Sequence, residues 1–335
     1  MKDERISLAH GDGGELAHTL IQSVFVDSFG HNEYASFDSA VFSIPQAKIA
    51  VTTDSFVVKP IFFPGGNIGK LAIAGTVNDL AVSFATPMYL TAGFIIEEGF
   101  KVKDLKEIVR TMADEAKKAN VRIVAGDTKV VERGSIDGIY INTTGIGYVH
   151  PDSFVDPGLI EEGDSIIVNG TIGDHGIAIL GARGELGIKT DLKSDCAALN
   201  GLVSQVLADV EGVRIMRDPT RGGLATTLVE IAEDFHVTME IEEEKIPVRN
   251  EVKGACDILG FDPLYLANEG KVIFIVKKDD EERLLAHLKE HELGQDAKII
   301  GRVTGKEKGS LHLKTGLGST RRLNRLSGMM LPRIC

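Results

Sequence analysis

Apolar residues along this chain recur at helical spacing in some stretches and as short continuous or alternating runs in others, with glycine clusters punctuating them. After HGDGG at 10–14, Ala17, Leu20, Ile21, Val24 and Phe25 fall at helical spacing, so the glycine loop feeds a helix N-terminus. Lys48 to Thr53 reads as a strand. A helix is predicted from Ile68 to Phe84, carried by Ile68, Leu71, Ala72, Leu80, Ala81 and Phe84 and stopped by Pro87. The clearest helix has Leu105, Ile108, Val109, Met112, Ala113 and Ala116 on one face, with Asp104 as its expected cap. Strand Val121 to Val124, loop Ala125 to Thr128 and strand Gly138 to Tyr148 close this half.

The turn-rich segment His150 to Gly163, with Pro151, Pro157 and Gly158, is the expected boundary between halves. Beyond it come strand Ser165 to Val168, a helix with Leu199, Leu202, Val203, Val206 and Leu207, and another with Leu224, Leu228, Ile231 and Phe235. Strands Val237 to Ile241, Lys271 to Val276 and Lys298 to Val303 follow, the last two separated by a helix with Leu284, Leu285 and Leu288. Helices and strands do not alternate one for one, so the second half is expected to be α+β, with mixed or antiparallel sheets covered by helices on one side. The last ten residues, LSGMMLPRIC, are too short and proline-stiffened for a regular element and are expected to form a tail. The expected organisation is therefore an α/β domain over 1–155, an α+β domain over 156–325 and a mobile tail over 326–335.

Composition narrows the function. A chain of 335 residues suits about two domains of ordinary size. The 37 basic and 49 acidic side chains leave a net charge of -12, which repels nucleic acid and anionic membrane surfaces. No apolar run reaches the length of a membrane span, and MKDERISLAH lacks the apolar core of a signal peptide, so the expected location is the cytoplasm. Cys196, Cys256 and Cys335 form no CxxC and no even framework, so each is read singly.

Several positions carry chemistry. HGDGG offers backbone N–H groups and the positive end of a helix, which suit a phosphate, although alone it reads equally as a glycine turn starting a helix. Asp38, Asp54, Asp79, Asp127 and Asp218 sit where strands or glycine loops end or, for Asp79, inside an apolar helix. Singly each is an ordinary cap or turn aspartate. Together they are the hard oxygen donors that Mg²⁺ with a nucleotide polyphosphate requires. Lys70 and Lys129 could neutralise phosphate or a developing oxyanion, or be solvated surface lysines. Glu269, just before a strand and between small residues, suits a general acid or base, or is an ordinary loop glutamate. His175 has no ligand partner at metal spacing and reads as structural, and Cys196 and Cys256 read as inert or core. Cys335 differs: by itself it could be no more than a terminal cysteine, but a thiol at the end of a tail can hold and release acyl-type groups, because thiolate is both nucleophile and leaving group.

Taken together, HGDGG, TTDSFVVKPIFFPGGNIGK, GTVNDLA, AGDTKVV, TTGIG, GDHG, RDPTRGGLA, DPLYLANEGK and LPRIC resemble, in order and over nearly the whole chain, the HypE family of hydrogenase maturation proteins. The terminal PRIC is the most specific element. The aspartate motifs are shared with ATP-using enzymes related to aminoimidazole ribonucleotide synthetase (PurM) and selenophosphate synthetase, although no cysteine precedes Cys196 to serve as the latter's N-terminal nucleophile. The resemblance implies a PurM-like two-domain fold that dimerises through its N-terminal sheet, with ATP between the domains. It implies metal contacts from Asp38, Asp54, Asp79 and Asp218. Nucleotide contacts would come from those four and from Gly11, Gly13, Gly14, Lys70, Asn78, Gly126, Asp127 and Thr128. Lys129 and Glu269 match residues near the modified tail, and Cys335 matches the cysteine that carries the substrate. Asn67 and Asp12 depart from the family pattern, where an aspartate and a small residue are usual.

The implied activity is ATP-dependent dehydration of an S-carbamoyl group on Cys335 to S-cyanocysteine, with ATP and Mg²⁺ as cofactors. The carbamoyltransferase HypF would load the tail, and a HypC and HypD scaffold would receive the cyanide for hydrogenase iron. Two other readings stay open: a carrier that binds ATP only as an effector, and a small-molecule kinase or synthetase of the same superfamily.

Overall fold

A computed structural model of the chain describes residues 14–20, 40–44, 47–150, 157–184, 187, 190–306 and 309–327. The first half comprises α1 (Glu15–Leu20), β1 (Ala40–Ile44), β2 (Ala47–Phe56), a two-strand ribbon of β3 (Phe62–Phe63) and β4 (Gly66–Asn67), α2 (Ile68–Val82), β5 (Ala85–Glu97), α3 (Val102–Lys118), β6 (Arg122–Val131) and β7 (Ile139–Val149). Five strands form one sheet in the order β1-β2-β7-β5-β6, antiparallel except where β5 meets β6.

Helix α2 is apolar all round and therefore buried all round. Thirteen of its fifteen residues are buried, and only Lys70 and Asp79 are not. It lies on the inner face of the sheet, where Leu71, Leu90, Ile108, Met112 and Ile141 share one core. Fully burying each of these large side chains stabilises the fold by roughly 1.5–3 kcal/mol. The other end of α2 runs into the second half, and Ala81, Val82 and Phe84 pack with Leu202, Val206 and Phe274. One helix thus joins both cores.

The second half comprises β8 (Ser165–Val168), α4 (Asp174–Arg183), α5 (Asn200–Asp209), β9 (Val213–Arg217), α6 (Gly223–Asp234), β10 (Thr238–Glu242), α7 (Asn250–Leu259), β11 (Ile273–Val276), α8 (Glu281–Glu290), β12 (Lys298–Gly305), β13 (Ser310–Lys314) and β14 (Thr320–Leu323). The sheet order is β14-β13-β10-β12-β8-β11-β9, antiparallel except for β10 with β13.

Three expectations are corrected. Helices cover both faces of this second sheet: Leu224, Leu228 and Ile231 of α6 meet Ile166, Val168 and Ile273, while Leu202 of α5 and Leu284 of α8 meet Ile167 and Phe274. Continuous apolar strands such as SIIV and IFIV are buried on both faces and need two covers. The cap of α3 is Lys101, not Asp104, which stands in the first turn where its charge complements the helix dipole. Finally, 125–128 is the middle of strand β6 and not a loop.

Candidate active site

Strand alternation sorts the residues of β2. Thr53 and Ser55 point to the outer face, where Asn142 Nδ2 donates to Ser55 Oγ at 2.9 Å and Thr144 Oγ1 to Thr53 Oγ1 at 3.0 Å. Thr52, Asp54 and Phe56 therefore point inward, toward α2. Asp79 Oδ2 accepts the Thr52 hydroxyl at 2.8 Å. One turn earlier α2 carries Gly75, where a Cβ would stand 2.8 Å from the Phe56 ring and 3.7 Å from Asp54 Oδ2. The missing side chain makes room for the Phe56 ring, and the Asp54 carboxylate lies in ordinary van der Waals reach of the same turn of the helix that carries Asp79.

Burial lifts the Asp54 carboxyl above its ordinary range, opposed in part by the Arg221 guanidinium and by the Ser55 N–H, which donates to Oδ1 at 2.8 Å. Arg221 belongs to RDPTRGG, three residues after the buried Asp218. A loop of the second half thus faces the carboxylates of the first. Among the described residues no three His, Cys, Asp or Glu side chains stand close enough to hold a metal ion, so the expected aspartate set is not preassembled there. Asp38 lies outside the described residues. Asp54 and Asp79 nevertheless suit Mg²⁺, which takes one or two carboxylates and completes its shell with phosphate and water.

Glu269 is buried in the loop that leads to Lys271. Its N–H donates to Asp195 Oδ1 at 3.1 Å, and its carbonyl accepts from Ala197 N at 3.3 Å and from Asn78 Nδ2 at 3.4 Å. Gly270 has to lack a side chain, because a Cβ there would meet Asp195 O at 1.9 Å. The Lys271 ammonium pairs with Asp195 Oδ2 at 2.9 Å. Burial alone would raise Asp195, yet Lys271, His175 and the Glu269 N–H together hold it below the usual carboxylate range. The adjacent Cys196 thiol is pushed well up by burial and by the Glu269 charge, with the Lys70 ammonium acting the other way. Lys70, Asp174, Asp195, Cys196 and Lys271 line a cavity of about 870 Å³.

His175 has its Nδ1 at 2.8 Å from Ser194 Oγ, no hydrogen-bond partner for Nε2, and a pKa pushed down to about 4 by burial. In the unfolded chain the ring titrates near 6.5, so the unfolded state binds the extra proton between about 6.5 and 4 and stability is lost as pH falls through that window. Going from pH 7 to pH 5, wild type is expected to lose about 2 kcal/mol more than His175→Gln. Urea midpoints of both proteins at the two pH values check this, and parallel losses count against it.

The other expected site residues are placed as follows. Lys70 and Asp79 lie two and a half turns apart on α2, about 14 Å along its axis and on opposite faces. Lys70 accordingly turns away from the carboxylates, and its Nζ donates to Gly65 O at 3.1 Å. Asn78 is buried and committed to backbone, donating to Ala197 O at 3.1 Å and accepting from Leu199 N at 2.8 Å. Gly126, Asp127, Thr128 and Lys129 lie on the exposed edge strand β6, three strands and about 14 Å from β2. Asp127 pairs in register with Gly93, which is opposite Asn142, so Asp127 and Lys129 share the outer face and not the Asp54 face. Gly14 precedes α1, and its carbonyl accepts from His18 N at 3.0 Å. Gly11, Gly13 and Cys335 lie outside the described residues. Asn67 caps α2, accepting from Gly69 N and Lys70 N, a task asparagine performs as well as aspartate. Asp195 was not signalled by any motif; its irregular surroundings, SDCA, carry no periodicity.

Two αβ halves joined by one buried helix, with carboxylates facing a loop of the other half, define the AIR synthase related class: residues 36–149 match its N-terminal domain family and 161–314 its C-terminal domain family. Within that class, the chain belongs to the carbamoyl dehydratase HypE family, whose members are enzymes. It is 47% identical to carbamoyl dehydratase HypE of Rhodobacter capsulatus over 100% of this chain and 99% of the relative. A HypE in a HypE-HypF complex is 50% identical, covering 92% of this chain and 99% of that one, with a TM-score of 0.86. A hydrogenase maturation protein HypE in complex with ATP is 42% identical, covering 99% of this chain and 100% of that one, with a TM-score of 0.83. Among the described residues, no helix is long and apolar enough to cross a membrane.

Proposed function

We propose that this chain is an ATP-dependent carbamoyl dehydratase of hydrogenase maturation that works in the cytoplasm on its own tail, turning S-carbamoyl-Cys335 into S-cyanocysteine. The observation that carries this reading is where the tail starts. Leu326 N donates to Thr226 Oγ1 at 3.2 Å in the first turn of α6, and Leu326 O accepts from Glu15 N at 3.0 Å at the start of α1. The tail root therefore lies between the helix after HGDGG, the loop read as a phosphate contact, and the helix after RDPTRGG, the segment that carries Asp218. Nine further residues give Cys335 a reach of about 30 Å.

In the proposed reaction the C–O bond of the carboxamide breaks as a C≡N bond forms, the oxygen leaves with phosphate, and both N–H protons depart. Bound ATP with Mg²⁺ supplies the phosphoryl group that makes that oxygen a leaving group. Asp54, Asp79 and Asp218, with Asp38, would hold the metal, which would neutralise the phosphates, and the glycines of 11–14 would offer N–H groups to phosphate oxygens. Glu269, on a backbone fixed at both its N–H and its carbonyl, accepts the first amide proton. The partners are a HypF-type carbamoyltransferase, as in the solved HypE-HypF complex, and a HypC-HypD scaffold that takes the cyanide. Full-length protein carbamoylated on its tail is expected to lose the mass of one water from the C-terminal peptide when Mg²⁺ and ATP are added. No such loss overturns the proposal.

Lys129 and Asp127 join this site only from a second copy. Strand β6 is exposed along nearly its whole length, including Ile123, Val124 and Val130, and an open apolar edge of this kind calls for a partner strand. We therefore place the homodimer interface on this sheet, with Lys129 of one copy orienting the carboxamide in the site of the other. Val130→Asp is expected to halve the mass seen by light scattering and to lower dehydration at least about tenfold. A monomeric variant with undiminished activity overturns this.

A further inference from the structure

We propose that Asp195 is a positioning residue that holds Glu269 in its working orientation. The proposal rests on the reading of Glu269 as proton acceptor.

A single buried carboxylate grips three consecutive residues. Oδ1 accepts the Glu269 N–H at 3.1 Å, while Oδ2 accepts the Gly270 N–H at 3.3 Å and the Lys271 ammonium at 2.9 Å. A residue whose only task was to neutralise Lys271 would need the third contact and not the first two. The first two fix the two peptide planes that flank the Glu269 Cα, from which its side chain springs.

The strap that carries Asp195 is itself tied to both halves of the protein. Ser194 N donates to Pro64 O at 2.8 Å in the ribbon before α2, Cys196 N donates to Ser194 Oγ at 3.0 Å, and that hydroxyl also meets His175 Nδ1. On the far side Asn78, from α2, holds the carbonyls of Ala197 and Glu269 and the N–H of Leu199. Glu269 is thereby referenced to α2, the helix that also carries Asp79, although it belongs to the other half. A proton acceptor and a phosphate site on different halves need such a link, because misplacement by about 1 Å costs on the order of a hundredfold in rate.

Removing Asp195 alone would leave the Lys271 ammonium buried and unpaired, which threatens folding. Two double variants of the full-length protein avoid this: Asp195→Ala with Lys271→Met, and Asp195→Asn with Lys271→Met. The asparagine keeps an acceptor for the Glu269 N–H, and the alanine does not. Single-turnover loss of water from the carbamoylated tail is followed against ATP concentration. The alanine double variant is expected to lose on the order of a hundredfold in maximal rate, with half-saturating ATP changed less than about twofold. The asparagine double variant is expected to recover to within about tenfold of wild type. Equal rates for the two variants, or a wild-type rate for the alanine form, overturn the proposal. Glu269→Gln at the wild-type rate would instead remove the reading of Glu269 beneath it.

Discussion

Cys335→Ala is expected to abolish both loading of the carbamoyl group and its dehydration while leaving ATP binding intact. The nucleophile that accepts a carbamoyl group is thiolate, and a sulfur that serves must be reachable and able to ionise. The chain has three cysteines, and two are poor candidates. Cys196 is 2% exposed, with its thiol pushed well above the ordinary range by burial and by neighbouring Glu269. Cys256 is also 2% exposed and is pushed up to about 11, so at neutral pH only about one molecule in ten thousand carries its thiolate. Neither can stand in for the tail. Whole-protein mass spectrometry of the variant after treatment with a HypF-type carbamoyltransferase, carbamoyl phosphate and ATP is expected to show no added mass. A carbamoyl group retained on either buried cysteine would sink the assignment, and undiminished ATP turnover would favour a small-molecule kinase or synthetase.

Much of this architecture could be read from the chain because burial on all sides leaves an unambiguous pattern. Helix α2 is apolar around nearly its whole circumference, and the charge of Asp79 inside that run marks a half-buried position, where its carboxylate accepts the Thr52 hydroxyl. Period-2 alternation was harder. In β5 the inward positions Leu90, Ala92, Phe94 and Ile96 do alternate, but Pro87 and Gly93 interrupt the run, and the strand goes unpredicted. In β6 the glycine of AGDTK suggests a loop, although its role is to let β5 pass: a Cβ on Gly126 would meet Ala92 O at 2.5 Å. The site was legible as a set of residue types and not as a set of neighbours. Lys70 and Asp79 share a motif-rich segment, yet nine residues on a helix place them back to back. Lys129 and Asp54 share a sheet but point to opposite faces of it. Asp195 left no signal, because its importance lies in three donors brought together from another segment by the fold.

Glu269→Gln should be the sharpest test of the chemistry, since it changes one oxygen to nitrogen and leaves the local framework untouched. The loop at this position is held by backbone groups: the N–H on Asp195, and the carbonyl on Ala197 N and Asn78 Nδ2. An amide in place of the carboxylate preserves those bonds and the volume of the side chain, and ATP affinity is expected to stay within about twofold. What is lost is the ability to take a proton from the carboxamide nitrogen as the C≡N bond forms. Positioned proton transfer is worth about 10²–10⁴ in rate, so single-turnover dehydration should slow by that factor and the carbamoylated tail should accumulate. Glu269→Asp separates the acid–base role from a packing role: it keeps a carboxylate but withdraws it by one methylene, so it should fall between wild type and glutamine. If the glutamine variant dehydrates its tail as fast as wild type while aspartate is slow, then Glu269 acts by filling space, and the proton must leave by another group at the junction.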